Sequence, residues 1–123
     1  MNDPEVTMRS SDPNPFLAHS VALEAAGLAI DLVRRTPAPL KSLVDQVIRS
    51  ASSVPADLSE GHGHAGRNRL HHWRIAYASA REVDSHLRLL VKARAVEAAP
   101  AETALELFDR VRAMTWRLLH PRR

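Results

Sequence analysis

Cysteine is absent from the 123 residues, and aromatic side chains are scarce: two Trp, two Phe and one Tyr. Without cysteine there is no disulfide scaffold, no Cys-based zinc site and no thiol nucleophile. No segment alternates with period two and no Asn-Gly or Asp-Gly pair occurs, so strands and tight hairpins are not expected. No uninterrupted apolar run approaches the ~20 residues of a helical membrane span, so no membrane segment is expected. The stretch from Met1 to Pro15 carries Asp3, Glu5 and Asp12 and no apolar core. It does not read as a secretory signal, and the expectation is a cytoplasmic protein.

What is present is ordinary for a globular chain: 45% hydrophobic and 25% charged residues, with a formal net charge of +3. The length suits one domain, since two halves would each be too small to bury a stable core. The charge is unevenly placed. Residues 1–61 hold five basic and eight acidic side chains, whereas residues 62–123 hold twelve basic and six acidic ones, together with six of the seven histidines. That asymmetry points to a surface made for anions.

Periodicity predicts four helices. Asn14-Pro15 reads as an N-cap followed by proline at the first helical position. A stripe through Leu17, Val21, Ala25, Leu28 and Leu32 follows, with Ala18, Ala22, Ala29 and Val33 alongside, ended by Thr36-Pro37-Ala38-Pro39. Residues 1–13 lack such a pattern and are expected to be mobile. A second helix from about Leu40 to Gly61 uses Leu43, Val44, Val47, Ile48, Ala51, Val54 and Leu58. Pro55 inside it removes the bond to the Ala51 carbonyl, which predicts a kink, with Ser52 and Ser53 placed to compensate. The alternative is two short helices, the second capped by Ser53.

After the turn Gly61–Gly66, a third helix is expected, capped by Asn68 and reaching Val96. It presents Leu70, Trp73, Ala76, Tyr77, Ala80, Val83, Leu87, Leu90 and Val91 on one face. The fourth begins at Ala99-Pro100 with Glu102 in its first turn, carries Leu105, Phe108, Val111, Met114, Thr115, Leu118 and Leu119, and closes at Pro121. Short connections favour antiparallel neighbours. The expected fold is therefore all-α: an up-down-up-down antiparallel four-helix bundle over residues 14–120, with a proline-kinked second helix and a basic tail at 121–123. Leu23, Ile30, Ile75, Leu107 and Trp116 fall outside the stripes and read either as a surface for self-association or as scattered surface hydrophobes.

Chemistry-bearing patterns are few. Gly61-x-Gly63-x-x-Gly66 spells a dinucleotide fingerprint, but no strand precedes it, so these glycines read as turn residues and no cofactor is expected. His62, His64, His71 and His72 lie close in sequence without a neighbouring carboxylate or a one-face pair that would mark a metal site, and none is expected. Glu60 with His62 and His64 is a conceivable acid–base set, and Ser52, Ser53 and Ser59 lack a nucleophile elbow. No catalytic residue is assigned. The strongest signal is Arg67, Arg74, Arg81 and Arg88 at intervals of seven, one nearly straight basic stripe because a helix drifts only ~20° per heptad. Arg69, His71 and Lys92 flank it, while Asp84 is spaced to pair with Arg81 and Arg88. Such a stripe meets phosphate by charge, with little base readout. The competing reading is a solvated helix face.

Two segments carry a family resemblance: Ile48-Arg49-Ser50-Ala51-Ser52-Ser53-Val54-Pro55-Ala56-Asp57-Leu58-Ser59-Glu60-Gly61-His62-Gly63, and Trp73-Arg74-Ile75-Ala76-Tyr77-Ala78-Ser79-Ala80-Arg81-Glu82-Val83. Together they resemble the four-helix bundle proteins encoded in intervening sequences of bacterial 23S rRNA genes. That family shows Ser-Ile-Pro-Ala-Asn-Ile-Ala-Glu-Gly-x-Gly and then Ile-Ala-x-Gly-Ser-x-x-Glu. The likeness covers about residues 16–120. Asp57 replaces the usual Asn, Ala78 the usual Gly, and Asn68 an acidic residue, while the loop after Gly63 is one residue short, with His64 where Arg commonly follows.

The resemblance implies a homo-oligomeric ring, commonly a pentamer, and no established enzymatic activity. It also implies kinship with the accessory proteins of diversity-generating retroelements, basic pentamers that bind nucleic acid and a reverse transcriptase. Pro55, Glu60, Gly61, Gly63 and Glu82 match family positions to which structural roles are assigned, the two glutamates as acceptors from helix ends or a neighbouring Arg. The leading expectation is a non-enzymatic cytoplasmic oligomer that binds structured RNA or DNA through Arg67, Arg69, His71, Arg74, Arg81, Arg88 and Lys92. Arg110, Arg117, Arg122 and Arg123 are further candidates. The rival is a protein–protein adaptor, and a small hydrolase built on Glu60 and nearby His is a third.

Overall fold

Asn14 opens the first helix as expected: its side-chain oxygen accepts from the backbone N–H groups of Phe16 and Leu17 at 3.0 and 3.1 Å, with Pro15 in the first helical position. The computed structural model describes residues 14–121, so the expectations for residues 1–13 and for Arg122 and Arg123 fall outside the described residues. Four α-helices follow: α1 (Pro15–Val33), α2 (Lys41–His62), α3 (Gly66–Lys92) and α4 (Ala98–Leu119), with a 3-10 turn at Ala38–Leu40 leading into α2. No strand occurs among the described residues.

Helix α1 packs on α2 and α4, and α3 packs on the same two, closing a four-helix bundle around one core. Trp73 bonds to Leu58 while Ser79 bonds to Ser53, so the contacts between α2 and α3 run in opposite directions along the two helices. The core centres on Phe108, Leu58, Leu87 and Leu90, all fully buried. Each such side chain contributes roughly 1.5–3 kcal/mol on leaving water. The buried hydroxyls of Ser50 and Thr115 donate to carbonyls four residues earlier, Gln46 and Val111, so both are satisfied within their own helices.

Several boundaries differ from the expected ones for identifiable reasons. Helix α3 starts at Gly66 after Ala65 and has no side-chain cap, so Asn68 lies inside the first turn and does not cap it. It ends at Lys92, because Arg94 takes a left-handed backbone (φ 59°) that terminates the helix before Val96. Helix α4 begins at Ala98, which places Glu102 beyond the first turn. Helix α2 runs through Pro55 as one element and not as two short helices. Ser52 donates to the Arg49 carbonyl and Ser53 to Asp57, so neither hydroxyl serves the carbonyl that Pro55 frees.

The largest correction concerns α1. Its buried face is Ala18, Val21, Ala22, Ala25, Ala26, Ala29 and Val33, whereas Leu17 and Leu28 of the expected inner stripe point outward. Phe16, Leu17, Leu23 and Leu28 are 70%, 48%, 54% and 39% exposed. The outer side also carries apolar residues, beside Glu24 and Asp31, so periodicity alone does not select its inner face. Small alanines face inward because they let neighbouring helices approach closely. This apolar character also makes α1, by length and composition, long and apolar enough to cross a bilayer, which a count of uninterrupted apolar runs missed. In this fold one of its faces lies against α2 and α4.

The α2–α3 junction depends on Gly61. A Cβ there would lie 2.5 Å from Trp73 Cδ1 and 2.6 Å from Nε1, so only glycine lets the indole close over the end of α2. Trp73 Nε1 then donates to the Leu58 carbonyl at 3.4 Å. A Cβ added at Gly27, midway along α1, would meet nothing within 4 Å. Gly61→Ala is therefore expected to destabilise the fold by about 1–3 kcal/mol through overpacking. Gly27→Ala should stabilise it by about 0.5–1 kcal/mol through helix propensity. Urea melts of the two variants check both signs.

Candidate nucleic-acid interface and the polar cluster at the α2–α3 turn

The heptad arginines all lie on the outer surface of α3. Arg67, Arg74 and Arg81 are exposed and make no hydrogen bond or ion pair among the described residues. The helix interleaves them with His71, Ala78, Ser85 and Lys92, all exposed as well. The resulting ridge, Arg67–His71–Arg74–Ala78–Arg81–Ser85–Arg88–Lys92, contains no carboxylate. From Arg67 to Arg88 it extends ~31 Å at the helical rise of 1.5 Å per residue. Glu82 is exposed one residue off the ridge and, among the described residues, makes none of the acceptor contacts expected of it.

Asp84 behaves differently from the simple helix-face expectation. It is nearly buried, bonds to Arg88 Nε at 2.7 Å and lies 3.5 Å from Arg112 of α4, while Arg81 is left free of it. Arg112 also bonds Asp109 at 2.7 Å. The carboxylate beside Arg88 raises its guanidinium pKa above the ordinary value, first through the hydrogen bond and then through charge. Arg88 is thus cationic at every ordinary pH but partly neutralised, and the open charge of the ridge belongs to Arg67, Arg74, Arg81 and Lys92.

Arg69 serves a different end. Its Nε donates to the carbonyls of Gly61 (3.2 Å) and His64 (2.9 Å), its terminal nitrogen donates to that of His62 (3.3 Å), and the guanidinium lies 5.5 Å from the Trp73 ring centroid. Carbonyls at a helix C-terminus lack intrahelical partners and carry negative partial charge, which a guanidinium fork satisfies. The side chain is committed to closing α2. Arg110 and Arg117 on α4 are exposed.

Four of the family-motif residues, Pro55, Glu60, Gly61 and Gly63, lie along the C-terminal part of α2 and its closing turn, whereas Glu82 sits farther along α3. Pro55 and Gly61 are buried, and the Gly63 N–H bonds to the Ser59 and Glu60 carbonyls, closing α2. Glu60 contacts the imidazole of His64 at 3.3 Å and, among the described residues, no helix end or arginine. His62 instead packs edge-on against Phe16. Across the turn, His72 Nδ1 lies 3.2 Å from Asp57 Oδ1, whose other oxygen accepts from Ser53 at 2.7 Å; Ser53 in turn accepts from Ser79 at 3.1 Å. The histidines therefore do have carboxylate neighbours, contrary to expectation. Glu60 and His64 are four residues apart, a readable spacing, but His72 and Asp57 meet only through the pairing of two helices. Ser, Asp and His here do not form a hydrolytic relay, because Ser53 bonds the carboxylate and not the imidazole.

A bundle of four helices with a proline inside the second, a glycine-closed turn and an arginine ridge on the third defines a small helical scaffold with one basic face. The chain belongs to the 23S rRNA-intervening sequence protein family, whose description matches residues 19–117. Its fold is similar to the crystal structure, at 1.70 Å resolution, of a protein of unknown function from the S23 ribosomal protein family of Bacteroides thetaiotaomicron VPI-5482. The TM-score is 0.77 at 18% identity, over 85% of this chain and 96% of that one. None of the curated proteins compared with the chain matches it.

Two arginines of opposite role separate structure from surface. Arg69→Ala, which removes a guanidinium donor from three carbonyls, is expected to lower stability by about 1–3 kcal/mol. Arg74→Ala should stay within about 0.5 kcal/mol of the parent. Thermal or urea unfolding monitored by circular dichroism compares them directly.

Proposed function

We propose that this protein is a non-enzymatic, cytoplasmic, homo-oligomeric bundle that binds structured RNA or DNA through the outer face of α3. One observation carries the reading: the exposed, carboxylate-free ridge from Arg67 to Lys92, with Arg67, Arg74 and Arg81 unpaired among the described residues. A solvated helix face normally intersperses both signs of charge, whereas this one offers cations of a single sign along its length. Arg matches phosphate oxygens through a planar donor fork. Trp73 is buried and Tyr77 partly so, which leaves charge and shape, and not base stacking, as the means of recognition.

The outward apolar side chains of α1 support self-association, with a second copy of the chain covering Phe16, Leu17, Leu23 and Leu28. A pentameric ring is the assembly that the family resemblance implies. It would repeat the α3 ridge around one axis and multiply weak phosphate contacts by avidity. A protein partner such as a reverse transcriptase fits the same scheme as a co-ligand of the nucleic acid. The adaptor reading draws on Trp116, half exposed beside Tyr77 and Arg112.

Binding to a structured RNA should weaken steeply with salt, and Arg74→Glu with Arg81→Glu should flatten the log–log salt slope by about two while lowering affinity at low salt. Fluorescence anisotropy at two salt concentrations measures both. Absence of binding at low salt, or an unchanged slope in the double variant, refutes the reading. Light scattering should give a mass several times that of one chain, and a monomer refutes the assembly.

A further inference from the structure

We propose that Glu60, His64 and His72 form a three-ligand site for one divalent transition-metal ion of the zinc class at the α2–α3 turn. Each offers a ligand atom, and the three atoms all lie within 4.8 Å of one another. They come from three successive segments: the last turn of α2, the connecting loop and the second turn of α3. Zinc bonds of about 2.0–2.2 Å place tetrahedral ligands some 3.4 Å apart; Glu60 and His64 already stand at 3.3 Å, and the widest separation must close by up to about 1.4 Å. Glu60 and His64 are exposed and have the rotamer freedom to do so.

The surroundings of His72 supply the independent argument. A metal-binding imidazole is oriented through its other ring nitrogen by a carboxylate or carbonyl. His72 has that arrangement: Nδ1 faces Asp57 at 3.2 Å, which leaves Nε2 as the ligand atom, and Asp57 is itself held by Ser53. His72 and Asp57 are both mostly withdrawn from solvent, at 25% and 19% side-chain exposure. The loop ligand is positioned as well, since Arg69 bonds the His64 backbone carbonyl at 2.9 Å. Two carboxylates, Glu60 and Asp57, balance the charge of a divalent ion. Two imidazoles with one carboxylate select zinc-like ions over calcium or magnesium, which prefer all-oxygen shells. Three protein ligands leave the fourth position to water, and the bound ion would clasp the end of α2 to α3.

This site stands apart from the nucleic-acid reading and is tested without it. The untagged full chain, stripped by chelator and titrated with zinc chloride in a calorimeter, should bind one ion per chain and gain thermal stability. His64→Ala, Glu60→Gln and His72→Ala should each weaken binding at least about tenfold, and Asp57→Asn, which touches no metal, by about 10–100-fold. His64 lies exposed on the turn, so its variant keeps the fold and stays diagnostic even where His72→Ala does not. No binding at millimolar zinc, or binding of undiminished affinity in His64→Ala, overturns the proposal.

Discussion

The close approach of Trp73 to Gly61 is the contact on which the rest of this end of the bundle depends. With no Cβ in the way, the indole covers the last turn of α2 and reaches the Leu58 carbonyl. That closure sets α3 beside α2 in the register that brings Asp57 to His72 and Ser53 to Ser79. It also places Arg69 over carbonyls that the helix cannot satisfy itself. Packing, capping and the polar cluster thus share one cause, a single missing methyl group.

The arginines of α3 show how one residue type divides its labour by position. Arg69, on the side facing the turn, acts as a neutralising fork for backbone dipoles. Arg88 shares Asp84 with Arg112, which ties the surface of α3 to α4. Arg67, Arg74 and Arg81 hold nothing within the described chain, and that leaves their donors to an outside anion or to water. Chain-wide net charge conceals this division, because it adds together groups already spoken for and groups that are free.

Much of the architecture is legible in the sequence because it rests on local rules. Asn14-Pro15 marks a helix start by capping chemistry, and the sevenfold arginine spacing marks an exposed ridge by helical geometry. Misreadings fall where nonlocal packing decides. In α1 both faces carry apolar residues, so whether Leu17 or Ala18 turns inward depends on how near α2 and α4 stand. Asn68 has the chemistry of a cap but loses the position to a chain reversal that starts the helix at Gly66. Asp84 meets Arg112 across helices and not only its own helix neighbour, and the meeting of His72 with Asp57 spans fifteen positions. Pattern reading within one helix reaches none of these pairs.

The alanine face of α1 has a mechanical consequence. Five alanines and two valines make shallow ridges, so this helix is keyed into its neighbours far less deeply than α4 with Phe108 or α3 with Leu87 and Leu90. It also removes less apolar area from water per turn. Of the four, α1 is the helix whose buried face offers the least side-chain interlock against rotation or sliding. The bundle is in effect three interlocked helices and a smooth fourth, whose seating is decided as much by what lies against its outer face as by the core it helps to close.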